Sequence, residues 1–386
     1  MLEYAEYNVN LYVNGNLVGD CRKLAQNLTY TRKRTKLGAD SIDFVINDKL
    51  FNTWCRERNY TINDLLKPLA LECRLVRNGV EVIGGFLATM PSYEPLQASA
   101  NLSLHFDGFL NLLNGVYIRD TVTNLPLGTI TGHADALIEQ MITLANTVSE
   151  DAGKGYDFVK GHADVMASIV NTFDNYKTVK DWICDRCDNT TGAGPFDVYF
   201  HADKTYDIYK DQNFGDVITD WVANFPTILN GTSATSLTAP EISGFCSAIL
   251  GVGAGDISPI ESENTALFSF VSDNNAITDY GYYETIYQES SISVLDTLTR
   301  NMNAELALNS NPIWKPEITL HGKQVNPTPS GEYKIWIGDI ITIDNTLDYT
   351  GMTNGKFRVN ELQVDISNSN DELITPTLER YVAESA

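Results

Sequence analysis

Hydrophobic and polar positions alternate with a period of two toward both ends of the chain, whereas the middle carries apolar residues at helical spacing. From Ile313 to Ile343, Trp314, Ile318 and Leu320 precede a Gly- and Pro-rich turn. Tyr333, Ile335 and Ile337 then alternate with polar or small neighbours until Gly338-Asp339 interrupts the run, and Ile341 and Ile343 resume it. Gly355 to Ile366 repeats the pattern with Phe357, Val359, Leu362, Val364 and Ile366, and Glu372 to Val382 supplies a third strand. Three antiparallel strands with short turns make most of a small barrel.

The N-terminal end reads in the same way. Val9 to Val13 and Leu17-Val18 flank Asn14-Gly15, the dipeptide suited to the positive φ angles of a two-residue hairpin. Asn27 to Lys36 and Ser41 to Ile46 are strands, Leu50 to Arg58 and Ile62 to Leu66 short helical turns. Leu71 to Arg77 is a strand ending at Asn78-Gly79, Gly85-Phe86 opens another as Gly355 and Phe357 do, and Ala100 to Phe106 alternates like the C-terminal strands. The repetition fits a duplicated fold, and equally two independent antiparallel barrels.

After Gly115 the period changes. Ala134 to Asn146 and Val165 to Phe173 read as amphipathic helices, as does Thr178 to Arg186. Phe196 to Phe200 and Thr205 to Tyr209 read as strands joined by His201-Ala202-Asp203-Lys204. From Phe214 to Gly255 the chain reads as irregular, with Ala266 to Phe270 and Ala276-Ile277 extended. Ser293 to Leu308 is a helix stopped by Asn309 and Pro312.

A length of 386 residues with 43% hydrophobic and 20% charged residues suits two to four compact units with full cores. Fifty acidic against 27 basic residues leave a net charge of −23, which argues against general nucleic-acid binding. Against that background the run Arg32, Lys33, Arg34 and Lys36 stands out. It is too short and too poor in neighbouring aromatics for a DNA patch, and reads as a solvated strand edge or a contact with an acidic partner subunit. No apolar run has the length of a membrane span, the first residues lack the features of a signal peptide, and synthesis in a cytoplasm is expected. Cys21, Cys55, Cys73, Cys184, Cys187 and Cys246 are scattered, unlike a disulfide framework, and read as buried reduced thiols.

Candidate chemistry is thin. Gly-His-Ala-Asp occurs at 132–135 and 161–164, with a partial copy at His201-Ala202-Asp203. The spacings match no metal signature, and the first two copies read as helix starts in which Asp favours the exposed N–H groups. Cys184-Asp-Arg-Cys187 lacks a second pair and a thioredoxin-like setting. Gly251-Val-Gly-Ala-Gly255 is followed by Asp256, Ser258 and Pro259, so it reads as a loop with no helix end to receive a phosphate. No cofactor, metal or catalytic residue is expected.

Several stretches, in their order along the chain, resemble a known module. They are Leu28 to Ile46, Asp135-Ala-Leu-Ile138, the run 196–209, Gly251 to Gly255, Asp279-Tyr-Gly-Tyr-Tyr-Glu284, the helix at 293–308, Pro316-Glu-Ile-Thr-Leu320 and Ile337-Gly-Asp-Ile-Ile-Thr-Ile343. The chain resembles the structural hub module at the tail tip of tailed bacteriophages, the N-terminal part of siphophage tail-associated lysin or tail-tip proteins, similar to the baseplate hub of contractile tails.

That resemblance implies an α+β, multidomain fold with two similar antiparallel β-barrel hub domains and mixed α+β domains between them. Its divisions fall at 1–114 for the first barrel and 115–212 for the mixed domain. Residues 213–310 would contribute partly to each, and 311–386 would form the second barrel. It implies a homotrimer in the virion at the tail tip, six barrels meeting the hexameric rings of the tail. Its partners would be the distal tail protein, the tape measure protein and other tail-tip or receptor-binding proteins. Genomic DNA would pass without specific binding, past a wall with more Asp and Glu than Lys and Arg. Because the sequence closes at Ala386, directly after the second barrel, and relatives carry lysis or receptor binding in C-terminal extensions, no enzymatic activity is expected. The alternative is a carbohydrate-binding or cell-wall-degrading baseplate component whose Trp54, Trp182, Trp221 and Trp336 line a sugar site.

Overall fold

The structure, a computed structural model, describes residues 5–91, 100–173, 176–187, 195–210, 213–225, 233–236, 245–257, 264–310, 317–322, 335–345 and 355–381. It forms two compact units, a larger one of Met1–Ser236 with Glu317–Ala386 and a smaller one of Leu237–Pro316.

In the larger unit, β1 (Tyr7–Val13) and β2 (Asn16–Asp20) form the expected hairpin, with Asn14 at φ 49° and Gly15 at φ 75°. These left-handed values match the strand twist, which is why Asn-Gly is favoured there. β3 (Ala25–Lys33) and β4 (Ser41–Asn47) follow, then helices α1 (Asp48–Arg56) and α2 (Ile62–Leu65). Asn47 and Thr61 cap them by accepting from the N–H groups of Leu50 and Asp64. β5 (Leu71–Arg77), β6 (Val80–Leu87) and β7 (Asn101–Gly108) complete the N-terminal segment. Gly85-Phe86 lies near the end of β6 and does not open a strand. A Cβ on Gly85 would stand 2.5 Å from the carbonyl oxygen of Asp107, so glycine there serves close strand approach.

A single sheet carries both ends of the chain. Among the described residues it has thirteen strands and does not close into a barrel. It draws on β13 (Val217–Phe225), β14 (Ser233–Ser236), β18 (Glu317–His321), β19 (Ile340–Asn345), β20 (Gly355–Ile366) and β21 (Glu372–Arg380). The order is β14-β18-β21-β20-β3-β4-β7-β6-β5-β1-β2, with β19 joining β13 to β20. β3 therefore pairs on both sides, with β20 from Leu28↔Ile366 to Lys33↔Glu361 and with β4. Tyr30, Phe44, Phe106, Ile341, Phe357 and Val364 share the core of this sheet, all buried.

The mixed part of the larger unit holds β8 (Gly128–His133), α3 (Ala134–Asp151), β9 (Val159–Ala163), β10 (Ser168–Phe173), α4 (Val179–Cys187), β11 (Phe196–Phe200) and β12 (Thr205–Lys210). α3 buries Leu137, Ile138, Met141 and Ile142 as its apolar stripe requires. The helix expected at Val165 to Phe173 is instead β10, paired antiparallel with β8. Ile169, Val170 and Thr172 are β-branched, and Asn171 and Phe173 are buried while Thr172 and Val170 are exposed, so a period of two wins. β8, in which the exposed Thr129 and Thr131 alternate with the less exposed Gly128, Ile130 and Gly132, has no counterpart among the elements expected from the sequence.

In the smaller unit, β15 (Ala248–Val252) lies between β16 (Phe268–Ser272) and β17 (Glu284–Gln288), with helices α5 (Asn274–Tyr280) and α6 (Leu295–Asn309). The region read as irregular thus contributes β13, β14 and β15. Ala276-Ile277, read as extended, belongs to α5, because Asp273 caps it by accepting from the N–H groups of Asn275 and Ala276. α6 packs on one face of the sheet through Leu298, Met302 and Leu306, against Ile249.

Candidate functional site

The basic run on β3 is the most concentrated polar feature of the larger unit. β3 ends in extended Arg34, and the chain then tightens into a 3-10 turn, Thr35–Leu37, closed by Gly38 at φ 99°. A positive φ of that size disfavours a side chain, so glycine turns the chain back toward β4. The turn brings Asp40 beside β3, where one carboxylate oxygen accepts from Lys33 N–H at 2.7 Å and the other lies 3.0 Å from Arg32 Nη1.

Arg32 is fully buried. Its guanidinium carbon lies 4.3 Å from the ring centroid of Tyr199 and 5.5 Å from that of Trp336. Among the described residues its Nε and Nη2 make no hydrogen bond, so the aromatic faces and the Asp40 charge stabilise the cation. Burial lowers the Arg32 pKa from its ordinary value and raises that of Asp40, each opposed by the partner's charge.

Arg34 reaches the mixed part of the unit. Its Nε and Nη2 donate to Asp197 Oδ2 of β11 at 3.0 and 2.6 Å, and Asp197 Oδ1 accepts from Thr35 N–H at 3.1 Å. Thr35 Oγ1 accepts from Val198 N–H at 2.7 Å. Lys33 lies 3.6 Å from Glu361, its register partner on β20, and Lys36 2.9 Å from Glu379 of β21. Burial acts to raise Glu379, but the hydrogen bonds from Asn360 and Lys36 outweigh it and leave its pKa lowered. All four sequence-selected cations thus meet carboxylates of their own chain, Arg32 and Arg34 buried and Lys33 and Lys36 partly exposed. The solvated-edge reading is replaced, because β3 is an interior strand.

The Ile337-Gly338-Asp339 motif closes an adjoining corner. Asp339 accepts from Asp216 N–H at 2.8 Å and Trp336 N–H at 2.6 Å, while Gly338 N–H donates to Val359 O at 2.7 Å. Gly338 has φ 87°, and a Cβ there would stand 2.5 Å from Phe214 Cδ1. The aspartate satisfies backbone donors that no strand partner reaches, and the glycine lets the ring of Phe214 sit against the main chain.

The three His-x-Asp units do three separate structural jobs. His133 Nδ1 donates to Met166 O at 2.7 Å and Asp135 Oδ1 accepts from Met166 N–H at 3.0 Å, so the pair clamps the backbone of Met166; Asp135 lies in the first turn of α3 as expected, but His133 makes no side-chain capping bond. The second unit lies on and just after β9, not at a helix start. Asp164 accepts from Lys210 N–H and Asn213 Nδ2 at 2.9 and 3.0 Å, and pairs with His162 at 3.1 Å. In the third, Asp203 accepts from Thr205 N–H, while His201 Nε2 lies 2.8 Å from Asp207. Asp207 also accepts from His162 N–H at 2.6 Å and Tyr209 OH at 3.0 Å. Sequence reasoning missed Asp207 and Tyr209, whose only signal was their period-two placement on β12. Burial acts to raise Asp207 and the bonds from His201 and His162 overcome it, leaving the pKa lowered; Tyr209 is pushed up to about 12 by burial and the Asp207 charge. Among the described residues no group of three or more His, Cys, Asp or Glu side chains gathers as a metal site.

The remaining candidates are structural. Cys184 and Cys187 form no disulfide on α4, and burial pushes Cys184 up to about 11, away from thiolate reactivity. Trp54 and Trp182 are buried and Trp336 packs on Arg32, so these three do not form an open sugar platform. The side chain of Trp221 and the run 323–334 lie outside the described residues. No described helix is long and apolar enough to cross a membrane.

No protein-family model matches the sequence, and no curated protein does. Solved structures do match in fold. The 43 kDa tail protein of prophage MuSo2 from Shewanella oneidensis aligns with a TM-score of 0.62 at 10% identity, over 97% of this chain and 98% of that one. A tail protein from Neisseria meningitidis MC58 gives 0.61 at 14% identity, over 97% and 96%. Prophage tail protein gp18 from Listeria monocytogenes EGD-e gives 0.55 at 10%, over 97% and 95%. Nearly the whole chain, from the β1–β2 hairpin to β21, has the fold of phage and prophage tail proteins.

Proposed function

We propose that this chain is a structural component of a phage-type tail, placed at the tail tip as a hub. The observation that carries the reading is the fold match to tail proteins, which extends over 97% of this chain and so over both units. The hub is a homotrimer that adapts the hexameric tail tube to the tip, contacts the distal tail and tape measure proteins, and surrounds the path of the DNA. In this reading 1–114 and 311–386 supply two barrel-like hub domains, 115–212 the mixed domain, and 213–310 parts of both.

The role is scaffolding, without catalysis. The carboxylates of Asp164, Asp197, Asp207 and Asp339 are occupied by backbone N–H groups and side-chain donors of the chain itself, the pattern of groups that hold a shape. An intersubunit contact at the basic run would draw on Lys33 and Lys36, since Arg32 and Arg34 are sequestered. Three chains at −23 each bring −69, and acidic walls would deny DNA the counterion-releasing contacts that make it adhere.

A symmetry-free reconstruction of the assembled tail tip tests this. Three copies in a ring of pseudo-sixfold symmetry are expected, with Asp and Glu outnumbering Lys and Arg on the inner surface. Six copies in that ring, or a basic lumen, would overturn the trimer or the repulsive wall respectively. Cell-wall clearing by the purified protein, abolished by one Asp or Glu substitution, would overturn the non-enzymatic role.

A further inference from the structure

The smaller unit has one covered and one open sheet face. On the covered face Ile249, Gly251 and Val271 lie under α6, and a Cβ on Gly251 would run into Met302, so the helix seats directly on the strand. On the other face the register sets Phe270, Leu250 and Ile286 side by side across β16, β15 and β17. Phe270 is 52% and Ile286 64% exposed. Phe268, one row along, and Tyr282, whose hydroxyl donates to Glu284 on the same face, extend the apolar row. An exposed aromatic and aliphatic cluster of this kind on a regular sheet marks an interaction surface more than a solvent face.

Charge says what covers it. Residues 237–316 hold ten Asp and Glu against two Lys and Arg, five to one, where the whole chain has 50 against 27. Of the two cations, Arg300 sits on α6, which packs on the opposite face of the sheet. The apolar row therefore belongs to a strongly acidic unit, Glu284 stands on the same face, and the described cation Arg300 lies on the helix that packs on the other face. A second copy of the same face would bring like charge against like charge, which costs association free energy.

We propose that the open face of the β16-β15-β17 sheet docks a partner protein surface with an apolar centre and a Lys- or Arg-rich rim. Phe270 and Ile286 are its central contacts, and Glu284 with the net negative charge of the unit selects the partner's charge. The inference stands on this unit alone and is independent of the tail reading.

The test uses the full chain and two probes, a short synthetic peptide alternating leucine with lysine and its leucine-glutamate counterpart. The lysine peptide should bind the wild-type protein and lose affinity by about tenfold or more with Phe270→Ser or Ile286→Ser, both exposed positions. Val122→Ser, at an 88% exposed site in the larger unit, should change it less than about twofold. Binding of the glutamate peptide with equal affinity, or lysine-peptide binding untouched by both variants, would overturn the proposal. Concentration-dependent self-association abolished by the same two variants would also overturn it, by assigning the face to a second copy.

Discussion

Replacing Asp197 by Ala tests the join between β3 and the mixed part of the larger unit. The carboxylate accepts two bonds from Arg34 and one from Thr35 N–H, with side-chain exposure of 2% for Asp197 and 6% for Arg34. Its removal takes two hydrogen bonds from the buried Arg34 guanidinium and strips Thr35 N–H of its acceptor. Deleting one partner of a buried ion pair costs about 3–5 kcal/mol, because the remaining charge has already lost its water. An unmet buried N–H adds up to about 1–3 kcal/mol, which local relaxation partly recovers. We expect a total loss near 4 kcal/mol, a large share of a domain stability of roughly 5–15 kcal/mol. Arg34→Met should cost about as much as other removals of one buried partner, about 3 kcal/mol or more. The double variant Arg34→Met/Asp197→Leu should cost less than the sum of the singles by at least about 1.5 kcal/mol. Urea unfolding followed by tryptophan fluorescence measures this, since four of the five tryptophans, Trp54, Trp182, Trp221 and Trp336, belong to the larger unit. Single losses below about 1 kcal/mol, or a double variant equal to the sum, would refute the reasoning.

Gly338→Ala combines a left-handed backbone with a clash on Phe214 and should cost about 2–4 kcal/mol. Gly153→Ala, at φ 84° with open space around it, should cost only about 1 kcal/mol, so thermal melts of the two separate packing from backbone strain. The lowered pKa values of Asp164, Asp207 and Glu379 mean stability that is complete above the ordinary carboxylate range of about 4 and is lost as pH falls through their folded values. Asp207→Asn should reduce that acid-side slope in urea titrations. At His105, burial acts to lower the pKa, but bonds to Asp43 and Asp107 prevail and raise it. Its contribution is present below pH about 6.5, disappears as pH rises through the folded value, and should be small because the ring is half exposed. An NMR titration of His105 in the wild type and in Asp43→Asn reads the shift.

The sequence by itself determined the local elements whose cause is local. Asn14-Gly15 dictates a turn by its φ preference, Ala134 to Asn146 a helix by its apolar stripe, and Gly355 to Ile366 a strand by its alternation. The order of such elements also carried the resemblance to tail proteins, whose fold this chain shares at 10–14% identity. Only the tertiary structure decided where a short apolar segment had two local solutions. Val165 to Phe173 fits a helical stripe on paper, and pairing with β8 made part of it a strand. Partners distant in sequence were equally hidden: no local pattern announces that Arg34 meets Asp197, or that β3 lies against β20. A basic run in an acidic chain looks like surface, and its Arg32 and Arg34 became interior because Asp40, Asp197, Tyr199 and Trp336 reach them in the fold. Burial of a charge depends on what surrounds it in three dimensions, which is the information a one-dimensional pattern lacks.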